Sequence, residues 1–446
     1  MVFMVLTANI VCCQNWLPVD CGLNSVGYVL YPDSTTGKLF VGGSMSAIFP
    51  SCDHGDLITV WDGTMWDSTY ELHGGGGDIR TIMRYQNQLY AGGNAGFASG
   101  HRIQGFTRWN GTLWDSLGVC QNPFNTMFPT QFCEFNNLLI VVGSFDSVSN
   151  NNSQVIAAWN GTSWIPMGLS AFYNDFQGWS CTVFNNELYM GGHIFDTTGV
   201  EHCFFKWNGT TWNEVDTNLK GTLLSLVIYN GELYLGGGVC YNNICYPILK
   251  YDGTNFSTVS NCSFGSIYTG FYRLKVIENK LFAVGNSIDS ICGSPASDIV
   301  YYDGNTWYPF SSDRFSVNHG DQQATINDIA VYQNHLYVTG SFQWINNDSI
   351  SDIAMYSSPL GIKELLDKKG AVEVYPSPTN TSINIHLYTY TTNETLLITD
   401  VLGEVIYKGT LSGIDNSIDV SRWSEGVYII TIISQDAIIT QKFIKL

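Results

Sequence analysis

The chain has 446 residues, 45 of them glycine, with 14% aromatic and only 13% charged side chains and a formal net charge of −19. So acidic a surface repels phosphate backbones and anionic headgroups, which argues against nucleic acid and membrane-surface partners. There is no apolar stretch near the ~18 residues that a membrane span requires, and the glycine-rich, aromatic-rich mixture suits tightly turned β-sheet.

Residues 1–13 are apolar and end in small residues, which predicts a secretory signal peptide, with a truncated start because no basic segment precedes it. A buried first strand and a lipoprotein site at Cys13 are the other readings of this run. Twelve cysteines fit an exported protein. None forms a Cys-x-x-Cys pair, so structural zinc is not expected, and no other metal or cofactor is expected either.

From residue 14 to 358 one phrase returns seven times. Its first half, Leu-aromatic-x-Gly-Gly with variants, starts at Leu39, Leu89, Leu139, Leu188, Leu233, Leu281 and Leu336. Its second half is an aromatic, Asp/Asn-Gly and another aromatic, at Trp61, Trp109, Trp159, Trp207, Tyr251 and Tyr302, with a worn copy at Tyr356. Successive leucines stand 50, 50, 49, 45, 48 and 55 residues apart. A period near 50 made of short apolar strands is that of a four-stranded propeller blade. The expected fold is all-β: a seven-bladed β-propeller. Asn-Gly and Asp-Gly read as two-residue type I′ hairpin turns, which sets Trp159 against Thr162 and makes Trp159 and Trp164 diagonal neighbours packing between blades. The last repeat lacks its Asp-Gly-x-x-Trp ending. Trp16-Leu17-Pro18-Val19 matches Trp164-Ile165-Pro166-Met167, so an N-terminal strand should close the last blade beside Ile353–Tyr356.

Cysteine positions repeat as well. Cys21 and Cys262 follow a fourth strand, and Cys52 and Cys292 lie in the next second-to-third-strand loop, which predicts the bridges Cys21–Cys52 and Cys262–Cys292. Cys181–Cys203, Cys120–Cys133 and Cys240–Cys245 are the remaining assignments. The second-to-third-strand loops and the blade junctions share one face, and function is expected there. That face carries Asp53, His54, His101, Asp146, His193, Asp196, Glu201, His202, Asp289, Asp298 and Asp348. These are scattered singly among the repeats, whereas a glycosidase needs two converging carboxylates. No His-Glu-x-x-His, Gly-x-Ser-x-Gly or EF-hand loop occurs.

Residues 359–370 form a mixed-charge linker. Residues 371–446 alternate apolar strands with glycine turns and predict a small β-sandwich. Its wording is Val374-Tyr375-Pro376-Ser377-Pro378, then Leu397 to Gly403, Ile418 to Ser421 with Gly426-Val427-Tyr428, and a final Lys442-Phe443-Ile444-Lys445-Leu446.

Two resemblances follow. The repeat resembles those of kelch and galactose-oxidase-like propellers, though no tyrosine–cysteine copper motif matches. The tail resembles the C-terminal sorting domain of the type IX secretion system of Bacteroidetes, with Ser377 in place of the usual Asn. That resemblance implies recognition by the type IX machinery at the outer membrane and a secreted or cell-surface location. The expected function is extracellular binding of a glycan or protein through the loop face. A polysaccharide hydrolase or lyase, and a structural adhesion component, are the alternatives.

Overall fold

Seven leucine phrases become the second strands of seven successive antiparallel sheets in the computed structural model. It describes residues 16–44, 57–72, 76–95, 97–98, 101–102, 105–121, 128–149, 151–169, 175–259, 264, 270–286, 288–311, 313–318, 322–357, 372–387, 394–411, 413, 415–433 and 438–446. The expected signal segment 1–13 and linker 359–370 lie outside these residues. The chain divides into two compact units, Met1–Pro359 and Leu360–Leu446.

The fourth sheet shows the pattern: Asp175–Phe184, Glu187–Phe195, Glu201–Trp207 and Trp212–Glu214, paired in sequence order. The turn between its first two strands is Asn185-Asn186, with φ of 51° and 62°, the left-handed pair that a two-residue hairpin needs. The Asn-Gly dipeptides do something else, and the type I′ expectation is corrected here. Trp159 pairs directly with Trp164, and Ala157 with Pro166, across a four-residue loop. Asn160 closes that loop by accepting the amides of Thr162 and Ser163 on Oδ1 at 2.9 and 2.8 Å. Asp62, Asn110, Asn208, Asp252 and Asp303 repeat this cap. A side chain that caps a turn removes the need for two left-handed residues. The flanking rings therefore face each other, 5.1 Å apart for Trp159 and Trp164 and 5.3 Å for Trp207 and Trp212.

The worn seventh copy is completed from the other end of the unit. Trp16, Leu17 and Pro18 pair with Tyr356, Met355 and Ala354, and the Trp16 and Tyr356 rings meet at 5.0 Å. The first strands pack on one another in order: Gly27–Asp33, Thr81–Tyr85, Phe128–Phe135, Asp175–Phe184, Leu219–Tyr229, Gly270–Ile277 and Thr325–Tyr332. The last of these packs back on the first.

Close approach needs the double glycines. A Cβ on Gly191 would lie 2.6 Å from Leu223 of the next sheet, and one on Gly192 would strike the Gln177 carbonyl of its own first strand. Polar groups then stitch sheet to sheet at equivalent positions. Thr81, Ser180, Ser225 and Asp328 accept the amides of Phe132, Leu226, Leu274 and Leu30 at 3.1, 2.9, 3.0 and 2.8 Å. On the fourth strands, the indole N–H groups of Trp114, Trp164 and Trp212 donate to the carbonyls of Tyr70, Leu117 and Met167 of the preceding repeat. Each stitch satisfies a buried donor that would otherwise cost ~1–3 kcal/mol.

Cysteines depart from expectation. Cys240 and Cys245 are bonded across a strand pair, and Cys21 and Cys292 are also disulfide-bonded, their expected partners Cys52 and Cys262 lying outside the described residues. Cys120, Cys133, Cys181 and Cys203 are free thiols, which corrects two assignments. Cys181 and Cys203 sit on the first and third strands of one sheet, with Glu187–Phe195 between them. Cys120 packs with Phe132 on one side of its strand, whereas Cys133, the next residue, points to the other side.

The second unit has a three-stranded sheet of Val372–Tyr375, Ser382–Leu387 and Asp415–Asp419. A four-stranded sheet holds Val405–Thr410, Thr395–Asp400, Gly426–Ile433 and Ile438–Lys445. Ile383, Ile385, Leu396, Ile398, Ile430 and Phe443 from both sheets fill one core.

Candidate functional site

Six of the seven first strands carry a bulge, one unpaired residue opposite the end of the second-strand phrase, which is Gly-Gly in three of them and Val-Gly or Thr-Gly in the others. The bulged residues are Tyr28, Thr130, Trp179, Leu224, Tyr272 and Asn327, and Arg80 holds the corresponding place just ahead of Thr81–Tyr85. All seven line a single cavity of about 240 Å³, together with Arg273. It lies toward the strand ends from which the junctions and second-to-third-strand loops depart.

Charge is fixed at two points of this cavity. The Arg80 guanidinium lies between the rings of Tyr28 and Phe128, 4.7 and 4.3 Å from their centroids, and is held by Asp78 through Nε and Nη2 at 3.1 and 3.0 Å. Elsewhere at the cavity, Arg273 and Lys275 approach the buried Asp328 at 3.7 and 2.7 Å, while Asp328 also takes the amides of Leu30 and Ile329. The Trp179 indole nitrogen is buried and has no hydrogen-bond partner among the described residues. A larger hollow of about 480 Å³ lies against the turn end of the third and fourth sheets, but it is lined mainly by turn residues and apolar side chains.

The loop residues singled out in the sequence do not gather at this cavity. His193, Asp196, Glu201 and His202 form a network on the fourth sheet. His193 Nε2 meets Glu201 Oε1 at 2.9 Å, and His202 lies between Glu214 at 2.9 Å and Asp196 at 3.4 Å. Lys220 joins the two halves by donating to the Glu201 carbonyl and approaching Glu214. Asp196 also caps its own turn, and the Thr198 hydroxyl and the amides of Val200 and Thr198 hold its carboxyl well below the usual range. This network ties a loop to the next sheet.

Asp298 is buried, and its Oδ1 accepts the Ile288 amide at 3.2 Å. Burial pushes its carboxyl up to about 7, with the Asp289 charge adding to the rise. Asp352 repeats the device, accepting the Phe342 amide at 2.9 Å and raised by burial to about 7. Asp146 is raised by burial against a hydrogen bond from Gln154. Asp289 and Asp348 are exposed. His101 lies in a two-residue strand, and Asp53 and His54 fall outside the described residues. Among the described residues, no group of three or more His, Cys, Asp or Glu side chains is placed to hold a metal.

Sequence reasoning passed over Arg80, Trp179, Tyr272 and Arg273. A signal for the bulge was present: each bulged residue stands six positions before the first residue of the turn that ends its strand, as Trp179 does before Asn185.

Residues 373–446 match the family of secretion system C-terminal sorting domains. That tail marks the chain for export to the cell surface or extracellular space, and no helix among the described residues is long and apolar enough to cross a membrane. No curated protein matches the chain. Among solved structures it is similar to PorZ, an essential bacterial surface component of the type-IX secretion system of Porphyromonas gingivalis. The two share 14% identity at a TM-score of 0.48, over 96% of this chain and 60% of that one. It is also similar to the extracellular domain of the putative one component system BT4673 from B. thetaiotaomicron, with 14% identity, a TM-score of 0.43, and coverage of 97% and 58%. The chain thus spans about three fifths of these structures.

Proposed function

We propose that this chain is exported by the type IX machinery and that residues 14–358 are a seven-bladed β-propeller of the kelch and galactose-oxidase-like kind. In this reading the propeller binds an extracellular glycan or protein where its central channel meets the loop face. The first strands, each packed on the next and the seventh on the first, support the propeller. The sorting tail supports export.

The observation that carries the binding site is the convergence of six bulged residues, and of Arg80 at the equivalent place, on one cavity. Tyr28, Trp179 and Tyr272 offer flat apolar faces, and Thr130 and Asn327 offer hydrogen-bonding groups. The Trp179 N–H is a donor with no partner among the described residues, which a polar ligand group can satisfy. Two of the seven arginines in the chain stand here, each beside a carboxylate, and their remaining N–H groups are donors for a polar ligand. In this reading the loops that carry His101, Asp146, Asp196, Glu201, Asp289 and Asp348 would supply contacts around the cavity.

The test is a glycan and polysaccharide array probed with the mature protein, followed by titration of Trp179→Ala and Arg273→Gln. Trp179→Ala should melt as the parent does, Arg273→Gln should stay folded with Lys275 still beside Asp328, and each should bind at least ~10-fold more weakly, as central aromatic and arginine contacts generally do. Parental affinity in both variants would remove the cavity from the reading.

A further inference from the structure

Cys133 and Cys181 lie on the first strands of adjacent sheets, Phe128–Phe135 and Asp175–Phe184. Side chains alternate along a strand, so Phe132 packs back toward Tyr85 and Phe106 while Cys133 points forward into the fourth sheet. There it meets Cys181, which is 1% exposed and packed among Ile140, Leu188 and Met190. Both thiols belong to this one packed cluster and are free in the structure, and Cys133 adds to the rise that burial gives the Cys181 thiol, although the two stand 48 positions apart in the chain. No other cysteine is placed to compete among the described residues: Cys120 belongs to the second sheet and packs in the cluster of Phe132, on the other side of that strand from Cys133, and Cys203 lies two strands away, against the Leu219 carbonyl.

We propose that Cys133 and Cys181 are joined by a disulfide in the exported protein, bolting the third sheet to the fourth. The proposal rests on the export reading, which places the chain in a compartment where such bonds persist. Cys21, Cys292, Cys240 and Cys245, which are bonded in the structure, fit the same chemistry. The oxidant is a protein disulfide donor of the cell envelope. One thiol loses its proton and attacks the donor's S–S bond, forming a mixed disulfide and releasing one donor thiolate. The second thiolate then attacks the mixed disulfide. The S–S bond between Cys133 and Cys181 forms, and the donor leaves with two electrons and two protons as a dithiol. In the folded seam, burial pushes the Cys181 thiol up, which keeps the thiolate scarce. The exchange therefore belongs to folding, and the finished bond is shielded from reductant.

The test is peptide mapping of the full chain recovered from the cell surface or medium, unfolded in guanidinium with iodoacetamide and no reductant. The expected result is one cross-linked species carrying Cys133 and Cys181, neither alkylated, that splits on reduction. A Cys181→Ser chain should leave Cys133 fully alkylated. Complete alkylation of both cysteines in the parent overturns the proposal, as does a link from either to Cys120 or Cys203. Cys240 and Cys245 in the same digest separate the two levels. If they are bonded while Cys133 and Cys181 are alkylated, the pairing alone fails. If all four are alkylated, the export reading fails with it.

Discussion

Replacing Asp298 with asparagine should make the protein more stable at pH 8 and leave it nearly unchanged at pH 4. Asp298 is 4% exposed, and its carboxyl accepts the Ile288 amide at 3.2 Å. Burial raises its value from the ordinary 3.8 to about 7, a shift of roughly three units. At ~1.4 kcal/mol per unit this corresponds to about 4 kcal/mol between the two protonation states. Because the folded state holds the proton more tightly, the stabilisation is complete below about pH 4 and is lost as pH rises through about 7. Asparagine keeps the acceptor for Ile288 and cannot ionise, so it escapes that loss. Guanidinium unfolding of parent and variant from pH 4 to 8.5 should show their difference growing by up to about 4 kcal/mol across the range. Asp352→Asn should do the same, but salt should flatten the Asp298 curve more, because only Asp298 has a neighbouring carboxylate contributing to its shift. A difference that stays constant with pH would show that neither carboxyl is protonated in the fold near neutrality, and would refute the reasoning.

Ser225→Ala leaves the buried Leu274 amide without its acceptor and should cost about 1–3 kcal/mol in denaturant unfolding; a change under ~0.5 would mean the stitch is replaceable by water. Deleting Ala371–Leu446 should leave a cooperatively melting first unit that no longer reaches the cell surface, and normal surface levels would dismiss the tail as the export signal. Non-reducing peptide maps should link Cys21 to Cys52 and Cys262 to Cys292. The Phe264–Ile291 bridge already sets the segment after the fifth sheet beside the Cys292 hairpin. Single alanine changes at Asp53, Asp146, Asp196, Glu201 and Asp289 should weaken ligand binding by about 1–2 kcal/mol at most. One that abolished turnover of a polysaccharide in a folded protein would establish the enzyme alternative.

Much of the fold was legible because its determinants are local. The Leu-x-x-Gly-Gly strands and the aromatic pairs are each contained in a few residues, and the strand exchange followed from matching Trp16-Leu17-Pro18 to Trp164-Ile165-Pro166. The turn chemistry was misread because Asn-Gly serves two geometries. Asn160 caps a four-residue loop, while the left-handed pairs fall at Asn185-Asn186 and its equivalents. The pairings Cys120–Cys133 and Cys181–Cys203 failed for a different reason, while Cys240–Cys245 held: separation along the chain says nothing about which face of a strand a thiol takes. Cys133 is 13 residues from Cys120 and 48 from Cys181, yet it faces the latter.

The candidate site was hidden for a reason that also bears on its role. Two residues past each bulge the side chain must fill a seam, and Leu30, Ile82, Phe132, Cys181, Leu226, Leu274 and Ile329 are all apolar or sulfur-bearing. At the bulge itself the backbone kink is demanded but the side chain is not, because it lines the open cavity. Tyr28, Arg80, Thr130, Trp179, Leu224, Tyr272 and Asn327 accordingly share no chemistry, and a reading tuned to repeated residue types passes over them. Freedom from the demands of packing is what a binding surface requires. Side chains there can change without loosening a seam, as Arg80 illustrates: its charge is balanced by Asp78 two residues away and not by a neighbouring sheet. The same reasoning makes Trp179→Ala a fair probe of binding, since removing it opens the cavity while the Ser180 stitch to Leu226 stays in place.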